Sequence, residues 1–493
     1  PATIADLARV VATPPPESLG SVERVPFGQR RANAAVTLLR LGEREQVPPV
    51  FDWTDDPEAL TQFIFRCRER GVGVGPLLDC LKLVGDAPRD RYPRDARYAL
   101  LLALGEFPLD LVPEAQRPAL LKQLADWYRD DPSSGVHGAS GWLLRQWGQA
   151  DVARQVDETP VPYSPDREWF TLAVTVTPTA LPTPKADEGA EPAKPAEPAE
   201  PPPAKTFHYT FIVFPAGEYA VGSVNDEPDR AKNEVRHPVR LTRPFALLDR
   251  EVTLEELIAF HPRYVGFMRR YDAKREDAVF GTDWYDAAGF CRWLGQQMGL
   301  PETDQPYPDP TTLDKVQYPR EPNPRANWAP HAWPLELGRR GFRLPSEAEW
   351  EVACRGGART AYGYGGEVAL LGRFGWFTDN SGKKVHPPRE LRPSLRGLFD
   401  LHGNVFEWTH DWFADYPTEA VANPLGPPSD SYRVVRGGSW SLVAAICRTA
   451  LRSSNAPPDR SFNNGFRLAL SPSEVPAGGG EGRSEKGEVR SGR

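Results

Sequence analysis

Residues 436–470 read RGGSWSLVAAICRTALRSSNAPPDRSFNNGFRLAL, and the C-terminal half of the chain is organised around them. The stretch opens on Gly437-Gly438, whose backbone reaches turn angles that a side chain makes costly. It closes on the run 466–470, where large apolar residues alternate with others and predict a half-buried strand. Neither a helical nor a strand period is present between turn and strand. A loop of that length inside a compact domain is usually functional.

Composition narrows the class of protein. The chain has 493 residues, of which 40% are hydrophobic and 14 are Trp, so we expect two to four domains with packed cores. A net charge of −8 argues against a nucleic-acid binder, because phosphate contacts need a basic surface. No apolar run in the sequence approaches the length of a membrane-spanning helix, so no membrane segment is expected.

Cysteine usage indicates the compartment. The chain has five cysteines, few and scattered, at Cys67, Cys80, Cys291, Cys354 and Cys447. This pattern fits a reducing compartment better than a disulfide scaffold, so we expect a cytoplasmic protein. The N-terminus lacks the basic and then apolar pattern of a signal peptide. Because the sequence begins with Pro, either an initiator Met has been removed or the chain is part of a longer protein.

Residues 1–155 predict a helical domain with HEAT-like repeats. Three segments, at 31–43, 94–106 and 137–149, each run from a basic or polar start through an apolar helix face to a Gly stop. The last two are spaced as in HEAT-type helical pairs. Residues 120–128 supply a partner helix by their apolar spacing. The only histidine in this region is His137, so no iron or zinc site is expected here.

Residues 156–205 predict a linker, because most of them are Pro, Ala and Glu without an apolar period. The short run DREWFTLAVTV at its start predicts a strand that docks on one of its neighbours. Residues 472–493 are rich in Gly and charged residues and predict a disordered tail.

Residues 206–471 predict a mixed α and β domain. Two apolar runs around Pro215-Ala216-Gly217 predict a β-hairpin. Three helix starts are marked by capping residues. They are the capping boxes of Thr253 with Glu256 and of Ser346 with Glu349, and the N-cap Asp283.

Seven motifs in this domain together resemble the formylglycine-generating enzyme family, also called the sulfatase-modifying factor family. They are PAGEYAVGS, REVTLEEL, DWYDAAGFCRWL, FRLPSEAEWEVACRGG, LFDLHGNVFEWT, RVVRGGSW and NNGFRLAL. The resemblance spans roughly residues 207–470 and implies an α+β fold that is a variant of the C-type lectin fold. Bacterial members are often attached to kinase or repeat modules, which is compatible with a further N-terminal kinase or other domain.

The resemblance also raises the question of whether this chain has the copper-binding residues of the family's oxidases. Family oxidases convert a protein cysteine to formylglycine with Cu(I), which two thiolates hold at the sixth and eleventh residues after the Arg of RGGS. Here the eleventh residue is Cys447, but the sixth is Leu442. A single thiolate does not make that copper site, so we expect no copper. Any catalysis would then depend on Cys447 and the neighbouring Ser439.

A calcium site is implied by the segment DLHGNVFEW. In the family, side chains at its first and eighth positions and carbonyls at its fourth and sixth bind the ion. Those positions are Asp400, Glu407, Gly403 and Val405 in this sequence. Two carboxylates and two carbonyls are oxygen ligands of the kind that calcium prefers. The alternative is a loop closed by hydrogen bonds alone.

The closing loop, residues 441–464, points to ligand binding. It contains no Lys, Glu, Gln, Met or Trp, and its apolar and small polar residues are all ones that a codon ending in a pyrimidine can encode. This pattern resembles the variable proteins of diversity-generating retroelements. It predicts a scaffold of Cys447, Arg448, Arg452, Arg460 and Phe466 that presents the remaining residues to a ligand. The predicted ligand-binding residues are Ser441, Leu442, Val443, Ala444, Ile446, Thr449, Leu451, Ser453, Ser454, Asn455, Ser461, Phe462 and Asn463.

Three hypotheses follow. The first is a non-catalytic module that binds a protein or small molecule through the closing loop, with the retroelement-diversified receptor as its sharper form. The second is an oxidase acting on protein cysteine, or another enzyme using Cys447. The third is a structural adaptor that binds through its helical repeats.

Overall fold

The computed structural model of the chain describes residues 3–53, 55–87, 91–179, 203–315, 317, 320–321, 329–330, 332–417 and 419–472. Residues 180–202 of the predicted linker and 473–493 of the predicted tail lie outside the described residues. Of the helices described, none has the length and apolarity needed to cross a membrane.

The N-terminal region is helical, as predicted. Its helices are α1 (Ile4–Ala12), α2 (Ser21–Arg40), α3 (Glu58–Glu69), α4 (Val74–Asp86), α5 (Ala96–Leu104), α6 (Arg117–Asp130), α7 (Ser134–Gln146) and α8 (Ala150–Asp157). The three segments with a Gly stop fall on α2, α5 and α7, and the partner helix is α6. Gly42 and Gly148 follow two of these helices at φ of 85° and 74°, where glycine is favoured. The HEAT-like repeat itself stays a prediction.

The C-terminal region mixes short strands with four helices in its described part. The helices are α9 (Leu254–Phe260), α10 (Tyr264–Tyr271), α11 (Trp284–Gln297) and α12 (Glu347–Arg355). The strands are β1 (Trp169–Val176), β2 (Lys205–Phe214), β3 (Gly217–Val221), β4 (His237–Leu241), β5 (Phe245–Leu248), β6 (Arg320–Glu321), β7 (Ala329–Pro330), β8 (Phe406–Trp412), β9 (Val421–Ala422), β10 (Arg433–Arg436), β11 (Ser453–Asn455), β12 (Asn464–Gly465) and β13 (Ala469–Leu470).

The described strands form four sheets, in the orders β1-β2-β5-β13, β11-β10-β8-β12, β3-β4-β9 and β6-β7. The second sheet contains, in β8, the end of the segment predicted to bind calcium. It also contains the middle of the closing loop in β11 and the last residue of that loop in β12. The capping boxes of Thr253 and Ser346 and the N-cap Asp283 are all confirmed at the starts of α9, α12 and α11. Their side chains fix where these three helices begin.

The predicted hairpin around Pro215 is wrong. β2 pairs with β1 and β5, whereas β3 pairs with β4 in another sheet. The turn at Pro215-Ala216 therefore moves the chain from one sheet to the next. Alternating apolar residues indicated two strands correctly, but they carry no information about which strands pair.

The boundary of the predicted linker also needs correction. The end of α8 and the whole of β1 lie inside the range 156–205. β1 is antiparallel to β2, with Trp169 opposite Ile212 and Val176 opposite Lys205. The Pro/Ala/Glu-rich residues consequently join two adjacent strands of one sheet and do not separate the two regions.

The helical region packs directly on the C-terminal domain along what we call the seam, between α3, α5 and α7 on one side and residues 361–399 on the other. A Cβ at Gly135 would lie 2.5 Å from the carbonyl oxygen of Leu395, and one at Gly138 would lie 2.9 Å from Cα of Gly397. The hydroxyl of Tyr98 donates to the carbonyl of Pro393 at 2.8 Å. Two glycines of α7 thus allow backbones to approach closely.

His137 is part of this packing. Its Nδ1 lies 2.6 Å from the carbonyl oxygen of Tyr128, and its ring stacks on Trp169 of β1 at 3.7 Å. Burial lowers the pKa of His137 to about 3, so the ring is neutral. His137, which was not expected to bind a metal, is a buried side chain that contributes to this packing.

Candidate functional site

The closing loop begins at a turn that only glycine fits well. Gly437 and Gly438 have φ of 98° and 78°. A Cβ on Gly438 would lie 2.5 Å from Sγ of Cys447, so the 3-10 turn over Ala444–Cys447 rests directly on this backbone. The Gly-Gly pair therefore sets the position of the first half of the loop.

Three arginines then tie the loop to separate elements. Arg448 bonds Glu227 at 2.6 Å and Glu234 at 2.8 and 2.9 Å. Arg452 forms a bidentate pair with Glu347 of α12, at 2.6 and 2.8 Å. Arg460 reaches Asp283 and Asp286 of α11, each at 2.6 Å. Bidentate arginine pairs fix direction as well as distance.

Before, between and after these arginines, the loop leaves side chains accessible. Val443 is 56% and Phe462 is 46% exposed. The other accessible positions among those predicted to bind ligand are partly buried, namely Ser441, Leu442, Ala444, Ile446, Leu451, Ser453, Ser454, Asn455, Ser461 and Asn463. Leu442 and Ile446 pack against the core of the domain. The loop thus combines two exposed apolar side chains with partly buried ones, which are small except for Leu442, Ile446, Leu451 and the two asparagines.

Thr449 does not belong to this face. It is fully buried, and its N–H donates to the carbonyl of Ala361 at 2.8 Å. Its position between Arg448 and Ala450, both buried, pulls it inward. The prediction that Thr449 contacts a ligand is therefore corrected.

The predicted half-buried strand at the end of the loop is also corrected. Residues 466–470 are buried on both faces, including Arg467. The guanidinium of Arg467 bonds both carboxylate oxygens of Glu407, at 2.5 and 2.6 Å. The alternating pattern predicted that Arg467 lies on a polar outer face. Its buried partner Glu407 is 60 positions away in sequence, so the local pattern could not reveal the ion pair.

Cys447 and Ser439 are both fully buried. Burial raises the pKa of the Cys447 thiol to about 12, so very little thiolate forms near neutral pH. The hydroxyl of Ser439 lies 3.2 Å from that of Ser441 and accepts from the side-chain amide of Asn463 at 3.3 Å. Neither contact supplies a general base for nucleophilic catalysis.

One histidine near Cys447 was missed by sequence reasoning. Nδ1 of His402 lies 2.9 Å from the carbonyl oxygen of Cys447, and Gly363 donates to its Nε2 at 3.1 Å. The ring therefore contacts the backbone of the loop and not its thiol. Burial lowers the pKa of His402 to about 4, so it is a neutral structural side chain. No local sequence signal links these residues.

The segment predicted to bind calcium lies beside β8, and its carboxylates are buried. Asp400 and Asn404 have φ of 60° and 54°, so the segment turns sharply. One oxygen of Asp400 accepts from the backbone N–H of Arg389 at 2.9 Å. Both oxygens of Glu407 are occupied by Arg467, and Trp350 donates to one of them at 2.7 Å.

A third carboxylate, Glu251, approaches the same segment. Asn404 donates to Glu251 at 3.3 Å through its side-chain amide. Burial, Asp400 and Glu407 raise the pKa of Glu251 well above its ordinary value, and burial raises that of Asp400 to about 7. Among the described residues, no group of three or more His, Cys, Asp or Glu side chains is arranged to hold a metal, so a metal here would also need carbonyl ligands.

Comparison with known proteins gives consistent matches. The sequence model of the family described as sulfatase-modifying factor enzyme 1-like domain matches residues 197–472. A formylglycine-generating enzyme of Streptomyces coelicolor is 34% identical over 283 residues, which cover 52% of this chain and 87% of that protein. The serine/threonine-protein kinase Pkn1 of Chlamydia trachomatis is 39% identical over 133 residues, covering 26% of this chain and 21% of the kinase.

Among solved structures, Treponema denticola variable protein 1 is similar to this chain. The two are 30% identical and superpose with a TM-score of 0.45, covering 54% of this chain and 96% of that one.

Proposed function

We propose that this chain, which belongs to the sulfatase-modifying factor enzyme 1-like family by its match over residues 197–472, is a non-catalytic binding module. Its ligand contacts the closing loop. The observation that carries the proposal is the division of that loop into three arginine anchors, Arg448, Arg452 and Arg460, and accessible residues before, between and after them. Well-exposed apolar side chains such as Val443 and Phe462 contribute little to folding and are available to a partner.

The residues present do not fit the copper chemistry of the family. Leu442 occupies the position of one of the two thiolates, and the remaining thiol, Cys447, is buried and protonated. Cu(I) prefers soft thiolate ligands, and a single buried thiol does not provide them. This argues against the oxidase hypothesis, which depends on Cys447.

The sharper form of the proposal is a receptor whose loop is diversified by a retroelement. Its support is the composition of the loop, in which the accessible positions carry only residues that a codon ending in a pyrimidine can encode. An adenine-rich template copy of the loop near a reverse-transcriptase gene would establish this form. Binding through the helical repeats, and a further N-terminal kinase or other domain, stay predictions.

The experiment pairs two loop changes with a matched surface change. The variant Val443→Asp/Phe462→Asp places charge on the loop, and Tyr432→Asp does the same at a side chain of the same domain that is 50% exposed. We expect partners of wild type identified by cross-linking in the source cell to be lost in the loop variant and kept in Tyr432→Asp. Equal retention by all three proteins would refute binding through the loop.

A second measurement tests the non-catalytic part. Anaerobic Cu(I) titration of the full chain against a competing chelator should give no tight one-to-one complex, and a Cys-x-Pro-x-Arg peptide should gain no formylglycine. Cys447 should react with a thiol reagent only after unfolding, because it is buried and its pKa is raised. Tight Cu(I) binding that Cys447→Ser abolishes would establish the enzyme hypothesis instead.

A further inference from the structure

A cavity of about 340 Å³ lies in the C-terminal domain, between β3, β4, β9, the N-terminal end of α12 and the residues that follow β8. Of the described residues that line it, only Arg452 belongs to the closing loop. Most of its lining is apolar, and includes Val221, Val239, Trp412, Val421, Pro424 and Leu425. A cavity of this size and lining is typical of a site for a small organic molecule.

The walls of the cavity are fixed by backbone contacts. Val239 of β4 pairs with Val421 of β9. Gly426 has φ of 70°, and a Cβ there would lie 2.7 Å from the carbonyl oxygen of Trp412, the last residue of β8. The turn that contains Gly426 is therefore packed against the end of β8. Binding to a preformed cavity loses little free energy in ordering the protein.

One buried carboxylate, that of Asp411, also lines the cavity. Asp411 is 3% exposed, and its Oδ2 accepts from the backbone N–H of Glu347 at 2.7 Å. Among the described residues, no other group donates to this carboxylate and no cation pairs with it. A single N–H does not replace the hydration that a carboxylate loses on burial.

The neighbouring guanidinium groups are bound elsewhere. Arg452 forms its bidentate pair with Glu347. Arg433 lies between the rings of Trp284 and Trp412, at 4.0 and 3.7 Å from their centroids. Neither arginine comes within ion-pair distance of the Asp411 carboxylate. The carboxylate in the cavity therefore lacks a counter-charge.

Burial raises the pKa of Asp411 well above its ordinary value. The charges of Glu347 and Glu349 add to this rise, whereas the N–H of Glu347 and the charge of Arg433 oppose it. A cation in the cavity would favour the ionised form of Asp411, and the carboxylate would in turn bind that cation by a charge-assisted hydrogen bond.

We propose that this cavity binds a small organic cation, an amine, amidine or guanidine with an apolar body, and that Asp411 holds its charged group. The apolar body would lie against the apolar lining. The alternative is that Asp411 only accepts the N–H at the start of α12, a role that an amide side chain would fill equally well. The proposal is independent of binding through the closing loop.

The test titrates the full-length chain with benzamidine, an aromatic cation, and with benzamide, its uncharged analogue of similar shape. Titration calorimetry should show one benzamidine bound per chain, at least tenfold more tightly than benzamide. Asp411→Asn keeps an acceptor for the N–H of Glu347 and should remove that preference. Asp415→Asn, at an exposed residue that also lines the cavity, is the matched control and should change the affinity by less than about twofold.

The pH dependence separates a ligand-binding carboxylate from a structural one. The affinity of wild type for benzamidine should rise from about pH 5 to about pH 8, because the cation binds to ionised Asp411. The other titratable groups at the cavity, His237, Asp415 and Tyr416, are present in Asp411→Asn, so any rise that they cause would remain there.

A second variant, Leu425→Trp, enlarges a partly buried side chain of the wall and should abolish benzamidine binding, so the test stands if Asp411→Asn does not fold. The proposal would be overturned if wild type bound both compounds equally or neither. Benzamidine affinity that Asp411→Asn leaves unchanged, or that Asp415→Asn lowers as much, would also overturn it.

Discussion

The closing loop and the seam use buried charge in opposite ways. In the loop, the guanidinium of Arg448 is buried with two carboxylates, Glu227 and Glu234, both within 3 Å. In the seam, the carboxylate of Glu58 in α3 is 1% exposed and has no ion-pair partner among the described residues. It accepts instead from the backbone N–H groups of Gly366 and Glu367, at 2.7 and 3.3 Å.

The difference teaches where the sequence is free to vary. A loop held by a few arginine anchors leaves its exposed residues, such as Val443 and Phe462, little constrained. In the seam, the close approach of the backbones leaves almost no residue free to vary. A Cβ at Gly365, for example, would lie 2.4 Å from an oxygen of Glu58. Diversity can therefore accumulate on the loop while the seam must keep its residues.

The largest effect should come from removing a loop anchor. Arg448→Met leaves Glu227 and Glu234, which are 5% and 0% exposed, without their cation. Breaking a buried pair in this way typically costs about 3–5 kcal/mol. We expect a loss of that size in the free energy of unfolding, measured by urea titration of tryptophan fluorescence.

The matched control is Arg448→Met combined with Glu227→Gln and Glu234→Gln. It removes the stranded charges and should recover much of the loss. A single Arg448→Met variant as stable as wild type would mean that the arginine does not anchor the loop.

The seam should respond to pH through Glu58. Burial raises its pKa from 4.5 to about 7, and Asp56 and Glu367 add to that rise, while bonds from Gln62 and Gly366 oppose it. A carboxyl whose pKa is higher in the folded state stabilises that state fully below pH 4.5. That contribution is lost as pH rises through about 7, and amounts to about 3 kcal/mol.

Glu58→Gln removes this titration. Its stability relative to wild type should rise from near zero at pH 4.5 to a gain on the order of 3 kcal/mol at pH 8. Unfolding free energies across that range measure the difference, and Glu17→Gln, at an exposed residue, controls for the loss of one negative charge. A difference that does not change with pH would show that Glu58 titrates normally.

Much of the fold could be predicted because its signals are local. The capping boxes, the Gly-Gly turn and the family motifs each depend on residues a few positions apart, and the capping residues located α9, α11 and α12 but not α10. The helical N-terminal region followed from apolar periodicity in the same way.

What could not be predicted depends on contacts between distant residues. The burial of Arg467 requires Glu407, and the inward position of Thr449 requires Ala361. The seam depends on Gly135 and Gly138 meeting residues more than 250 positions away, which no periodicity in α7 announces. That the closing loop binds a ligand stays a prediction, and the exposure of its individual residues could not be predicted from the sequence.

The smallest effect should come from the exposed residues of the loop. Val443→Ser and Phe462→Ser should each change the free energy of unfolding by less than about 0.5 kcal/mol, because both residues are exposed and Phe462 has only a ring contact with Trp440. Leu442→Ser and Ile446→Ser should each cost more, roughly 1–3 kcal/mol, because these half-buried residues pack against the core. The sequence predicts that all four residues contact a ligand, whereas in the structure Leu442 and Ile446 pack against the core and Val443 and Phe462 are exposed. Urea titration measures the free energies of unfolding of the double variants Val443→Ser/Phe462→Ser and Leu442→Ser/Ile446→Ser. Tyr432→Ser is the control at an exposed residue outside the loop. If Val443→Ser/Phe462→Ser costs as much as Leu442→Ser/Ile446→Ser, then the loop is ordinary core and its contrast with the seam disappears.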